Sequence, residues 1–160
     1  MSNMQRADTL LVSANFKRLL PLAAQHNSRV IALNRRDYPG SAPYTAEERA
    51  TLARLATASP GTASERGEEA MMFMRERGGE VYDYVLDLIK RDRIPPVHGD
   101  GRSTKGGIVI AGWSLGAIWA LAFIAHAPSF SDSDVVLSQY VRRVVLHGRR
   151  LLPCSESSSR

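Results

Sequence analysis

Gly106–Ser131 constrains this chain more than any other stretch, because it contains no Asp, Glu, Lys or Arg over its whole length. A run of about twenty mostly apolar residues is long enough to span a bilayer, or to supply one strand and one helix that are both buried. Gly106, Gly107, Gly112 and Gly116 divide the run, and its first half contains the β-branched Ile108-Val109-Ile110, which suits a central parallel strand covered on both faces. The expectation is therefore a strand feeding a buried helix, with no membrane span. A membrane-associated chain using 106–131 is the lesser alternative.

The joint between that strand and that helix reads Gly112-Trp113-Ser114-Leu115-Gly116. A GxSxG pentapeptide between an apolar strand and an apolar helix places its serine at the tip of a tight turn. The flanking glycines are expected to make room for a backbone that a side chain would block. Such a turn exposes the Ser114 hydroxyl and leaves the Leu115 N–H at a helix N-terminus, where it can hydrogen-bond a developing oxyanion.

With 160 residues and 44% apolar side chains, the chain has room for one domain with its own core. The single cysteine, Cys154, has no partner for an intramolecular disulfide, and the first twenty residues lack the apolar segment of a secretory signal. A cytoplasmic protein is expected. The formal charge of +5 is spread over single and paired arginines with acidic neighbours and no interleaved aromatics, which argues against nucleic acid as a partner. His26, His98, His126 and His147 are isolated in sequence, so no metal spacing is present and no cofactor is expected.

Along the chain, Met1–Asp8 reads as a disordered start and Thr9–Ser13 as a short buried strand. From Asn15, a plausible cap, Phe16, Leu19, Leu20, Ala23 and Ala24 recur at helical spacing, predicting one buried face that Pro21 bends or delays. Arg29–Asn34 reads as a second strand, completing a parallel βαβ unit, and Asp37–Ser41 as the turn that closes it. Thr45 with Glu48 is a capping box opening a short helix, and 58–65 is a loop. Glu68–Arg93 is the longest helical stretch, with Met71 and Met74 as core filler and a kink or break at Gly78-Gly79. Ile94–Gly106 is an exposed connection, Tyr140–His147 a last strand, and 149–160 a disordered basic, serine-rich tail.

Alternating strands and helices, Arg36-Asp37-Tyr38-Pro39-Gly40-Ser41 after the second strand, and Gly112–Gly116 after the third together resemble the α/β-hydrolase fold. Arg36–Ser41 is similar to that superfamily's RGxGxS-type turn, and Gly112–Gly116 to its nucleophile elbow. The resemblance covers 9–148 and implies an α/β chain with three α/β/α layers and a mostly parallel sheet. It implies a serine hydrolase acting on a small ester-like substrate. Ser114 would be the nucleophile, the Leu115 amide an oxyanion donor, and Gly112, Trp113 and Gly116 the frame of the elbow. Serine at the tip, where epoxide hydrolases and haloalkane dehalogenases carry aspartate, implies acyl chemistry.

The chain departs from that pattern in two places. Ser13-Ala14-Asn15 runs into the first helix where the superfamily has a His-Gly loop that supplies a second oxyanion amide. After Ser114, the acids Asp132, Asp134 and Glu156 and the histidines His126 and His147 do not follow the order Ser, acid, His with each on its own later loop. The resemblance thus implies a truncated, N-terminal portion of the fold, inactive or impaired as an enzyme. The alternative is a non-catalytic remnant or binding module. A sheet ending at Tyr140–His147 leaves an edge through which copies are expected to self-associate.

Overall fold

The computed structural model describes residues 16, 18–57, 63–99, 104–130 and 134–148. In chain order the elements are helices α1 (Leu19–Gln25), α2 (Ala46–Ala56) and α3 (Ala63–Asp92), strands β1 (His98–Gly99), β2 (Thr104–Lys105) and β3 (Ile108–Trp113), helix α4 (Gly116–His126) and strand β4 (Val141–His147). Short 3-10 turns at Ala127–Phe130 and Leu137–Gln139 join α4 to β4. The chain is of mixed α/β class. β3 and β4 pair in parallel, from Ile108 opposite Val141 to Trp113 opposite His147, so β3, α4 and β4 form a βαβ unit. β1 and β2 pair antiparallel, which puts a small hairpin inside the expected 94–106 connection.

The core lies where α3 meets α4 and the β3/β4 pair. Val81, Tyr82, Val85 and Ile89 of α3 bury against Phe123 of α4, with Ile108, Ile110, Trp119, Phe130 and Val141 packed around them. Their spacing along α3 lays one apolar stripe on the helix, and burying that stripe supplies most of a helix's stability in a protein. The expected break at Gly78-Gly79 does not occur: α3 is one helix of 30 residues. A Cβ on Gly78 would stand 2.7 Å from the Ala122 carbonyl oxygen, so this glycine is where the α4 backbone crosses α3. The close packing offsets the helix propensity that glycine forfeits, about 1 kcal/mol against alanine.

The capping box is formed in both directions. The Glu48 N–H donates to Thr45 Oγ1 at 3.1 Å, and the Thr45 N–H donates to Glu48 Oε2 at 2.7 Å. Other expectations need correction. Arg29–Asn34 is not a strand; it carries only an isolated bridge at Leu33, so no βαβ unit is formed there among the described residues. Phe16 is helical, Arg18 lies in a turn, and α1 starts at Leu19 with Pro21 in its first turn, where a missing N–H breaks no helical bond. Its Leu19 and Leu20 are exposed instead of facing a core. Ala63–Glu65, expected in a loop, is the first turn of α3. Met71 is 59% exposed, because it lies off the stripe that meets α4. β3 is not covered on both faces: Val109 is 53% exposed, since the described sheet around it has two strands.

The charge-free run does resolve into a strand and a helix. Among the described residues no helix is long and apolar enough to cross a membrane. The expected strand at Thr9–Ser13, the cap at Asn15, the 1–8 start and the 149–160 tail, with Cys154, lie outside the described residues.

Candidate nucleophile elbow

β3 ends at Trp113, and α4 begins at Gly116 after a two-residue turn. Ser114 holds that turn in the left-handed region, φ 52°, a conformation that costs a non-glycine residue energy and that persists where the surroundings impose it. The surroundings are visible. The Ser114 N–H donates to the His147 carbonyl at 2.6 Å, and the Ser114 carbonyl accepts from the Ala117 N–H at 3.0 Å. The strand ladder therefore clamps one side of the residue and the first turn of the helix clamps the other.

The two glycines of the pentapeptide play different parts. A Cβ on Gly112 would lie 2.6 Å from Ala117 Cα and 2.8 Å from the Gly116 carbonyl oxygen, so the helix can fold back over the strand only if residue 112 has no side chain. A Cβ on Gly116 would meet nothing within 4 Å, and no steric need for glycine exists there. Trp113, Ser114 and Leu115 are all exposed. Leu115 is the N-cap residue of α4, and its N–H donates to no backbone carbonyl among the described residues.

Parallel pairing brings a residue to the elbow that the order of the sequence had set aside. His147 closes β4 opposite Trp113, and its ring stacks on the indole with centroids 4.2 Å apart and planes 14° from parallel. Phe16 meets the same indole edge-on at 6.2 Å. His126 sits at the far end of α4, about 18 Å along a helix from Ser114 at 1.5 Å per residue, beyond hydrogen-bond reach. Asp134 is exposed; Asp132, Glu156 and the Ser13-Ala14-Asn15 segment lie outside the described residues. The signal for His147 was available in the sequence: two β-branched runs joined through one helix pair in parallel, so their C-terminal residues share an edge of the sheet.

Arg36–Ser41 forms a tight turn with Asp37 at φ 63° and Gly40 at φ 82°. Ser41 Oγ donates to the Tyr38 carbonyl at 2.8 Å, and Asp37 Oδ1 accepts the Tyr44 N–H at 2.8 Å. Beside it, the Arg35 guanidinium lies over Trp119 of α4, 5.0 Å from the ring centre, which ties the segment to the helix that follows the elbow.

A buried ionic cluster behind the turn was not anticipated. Arg77, 4% exposed, pairs with Glu48 at 2.7 Å and Glu80 at 3.3 Å, while Arg36 pairs with the same two carboxylates at 2.9 and 2.6 Å. Two cations and two anions balance, as burial of charge requires. Arg77 also lies over Phe73, 4.8 Å from its centre. Burial pushes the Glu48 carboxyl up, but the Thr45 N–H and the two guanidinium groups outweigh it and hold the group below its ordinary value. At Glu80 burial wins over the same cations and its carboxyl is raised. Burial likewise raises the Tyr44 phenol. The sequence cue was Arg77 and Glu80 falling on the stripe of α3 that otherwise carries Phe73, Val81 and Tyr84.

Among the described residues no group of three or more His, Cys, Asp or Glu is placed to hold a metal ion. Compared with models of protein families, with curated proteins and with solved structures, the chain matches none.

Proposed function

We propose that this chain carries the nucleophile elbow of an α/β-hydrolase-type serine acyl hydrolase, in a three-layer fold of that kind, and that it acts slowly on small ester-like substrates. The observation that carries the reading is the left-handed φ of 52° at Ser114, a non-glycine residue at a strand-to-helix turn over a glycine that cannot accept a Cβ. Asn27, Asp37 and Arg93 also take positive φ, so the backbone of Ser114 supports the reading through its setting, an exposed hydroxyl between a strand and a helix, where such strain clusters at functional sites. In this reading Ser114 Oγ attacks the ester carbonyl, and the oxyanion takes the Leu115 N–H as a donor. The ester alcohol leaves with a proton, and water releases the acid from Ser114.

Slowness follows from what the described residues do not supply. Among the described residues no carboxylate forms a hydrogen bond or ion pair with Ser114 or His147, and the loss of one oxyanion donor lowers a rate by a factor of about 10² to 10³. Cytoplasmic residence, no nucleic-acid partner, no cofactor and self-association through the exposed sheet edge belong to the same reading. A fluorophosphonate probe, which reacts with activated serines, tests it. Slow labelling of the folded chain that disappears in Ser114→Ala is expected. Labelling that persists in Ser114→Ala, or none on the wild-type chain, refutes the enzyme reading, and the second result favours a non-catalytic binding module.

A further inference from the structure

One face of the β3/β4 pair is open. The register sets Val109 opposite Arg143, Ala111 opposite Val145 and Trp113 opposite His147, and cross-strand partners share a face. All six residues are exposed, whereas Ile108, Ile110 and Val141 pack into the core from the other face. With Val141 turned inward, strict alternation would turn Arg143 inward too. The register slips by one between Ile108 and Val109, so Arg142 is an extra residue and both arginines stand exposed. Gly106 and Gly107, at φ 69° and 72°, bring a third cation to the same end of the pair. A Cβ on Gly107 would lie 2.8 Å from Arg142 Cγ, so β4 starts against the turn that follows Lys105. Lys105, Arg142 and Arg143 form no ion pair with a carboxylate among the described residues, and from 94 to 148 the one described acid is Asp134.

We propose that this face docks on an anionic lipid bilayer, as a surface contact and not as a span. Lys105, Arg142 and Arg143 meet the phosphates and carboxylates of the headgroups, and the planar guanidinium forks suit such oxyanions. Val109 and Val145, 53% and 42% exposed, and Trp113, 57% exposed, enter the boundary beneath them. An indole is at home there, with an apolar body and one polar N–H. The mixture decides the occupant. A free phosphate ion would engage the cations and leave the apolar part of the face in water, whereas a bilayer with negative headgroups covers both. Each Lys or Arg near such a surface strengthens binding about fivefold, so three supply about two orders of magnitude. The proposal is independent of any reactivity at Ser114.

Co-sedimentation of the full chain with vesicles tests it, using phosphatidylcholine alone and phosphatidylcholine with about one-third phosphatidylserine. Binding is expected to the second and not to the first. Raising the salt from about 0.1 M to about 1 M shortens the screening length from about 10 Å to about 3 Å and should release the chain. Changing Arg142→Ala and Arg143→Ala together should weaken binding about 30-fold, and Lys105→Ala about fivefold. Lys105 lies outside β4, so its variant decides the matter if the double variant does not fold. Trp119→Phe leaves Trp113 as the one tryptophan, and its emission should shift to the blue on the anionic vesicles. Equal binding to both vesicles, binding to neither, or binding that neither set of cation variants weakens overturns the proposal. An emission that stays put while the chain binds overturns the assignment of this face. Displacement by inorganic phosphate at constant ionic strength would mean a free-phosphate site and overturn the bilayer.

Discussion

Gly78→Ala is a test in which two known effects oppose each other at one atom. Alanine is the better helix former by about 1 kcal/mol, so in an open helix the change stabilises. At Gly78 the new Cβ would meet the Ala122 carbonyl oxygen at 2.7 Å, its carbon at 2.9 Å and the Phe123 nitrogen at 3.2 Å. All three are backbone atoms of α4, so no side chain can swing aside and α4 itself must move off α3. Overpacking of this kind costs about 1–3 kcal/mol, and an obstacle that cannot rotate away belongs at the upper end. The net expectation is a loss of about 2 kcal/mol. Gly67, in the same helix, is the internal control, since a Cβ there meets nothing within 4 Å. Gly67→Ala should gain up to about 1 kcal/mol, which separates the two variants by about 3 kcal/mol. Urea unfolding followed by circular dichroism reads the difference as opposite shifts in midpoint with an unchanged slope. Two shifts of the same sign would refute the close helix crossing and with it the reason given for the unbroken helix.

The pentapeptide gives a matched pair of its own. Gly112→Ala drives a Cβ into Ala117 Cα and should cost about 1–3 kcal/mol and abolish probe labelling, whereas Gly116→Ala should leave both intact. Arg77→Met leaves Glu48 and Glu80 buried with one cation fewer and is expected to lose about 3–5 kcal/mol in a urea titration at pH 7; a loss below 1 would mean the cluster is solvated. Because the Glu48 carboxyl is held below its ordinary value, the stability it contributes is present above the unfolded carboxylate range and vanishes as pH falls through its folded value. Glu80 is raised, so its contribution is full in acid and is lost as pH rises through its folded value. Glu48→Gln should therefore lower the urea midpoint at pH 7 more than Glu80→Gln does, and the reverse order would contradict these directions.

Local signals were the ones legible in the sequence. Thr45 and Glu48 announce a cap because every atom of a capping box lies within four residues. The strand, turn and helix of Ile108–His126 were readable for the same reason, since β-branched and apolar runs with a glycine-framed joint differ in period and in chemistry. Errors arose where a distant segment decides. Gly78-Gly79 looks like a break until Ala122 is found resting on it. Arg29–Asn34 has the composition of a buried strand and no ladder among the described residues to join. Arg77 carries the charge of a surface residue and is buried because Glu48, 29 positions earlier, meets it. His147 closes β4 opposite Trp113, a placement set by parallel pairing with a strand more than thirty residues earlier and so not visible in its local sequence.

Parallel pairing also sets when the elbow can form during folding. β3 and β4 are separated by residues 114–140, so the loop must close before the first ladder bond is rewarded. α3 and α4 are built from local hydrogen bonds before they meet and their contact buries Phe123, whereas β4 gains its ladder bonds only on reaching β3, which makes the helix contact the earlier event. Docking of β4 then comes late, and with it arrives the His147 carbonyl that clamps the Ser114 amide. A Val144→Ala change should accordingly leave the folding rate almost untouched and speed unfolding, a φ value near zero. A partly folded form without β4 would lack the carbonyl that holds the Ser114 amide, so the left-handed turn at Ser114 is completed only with the last strand.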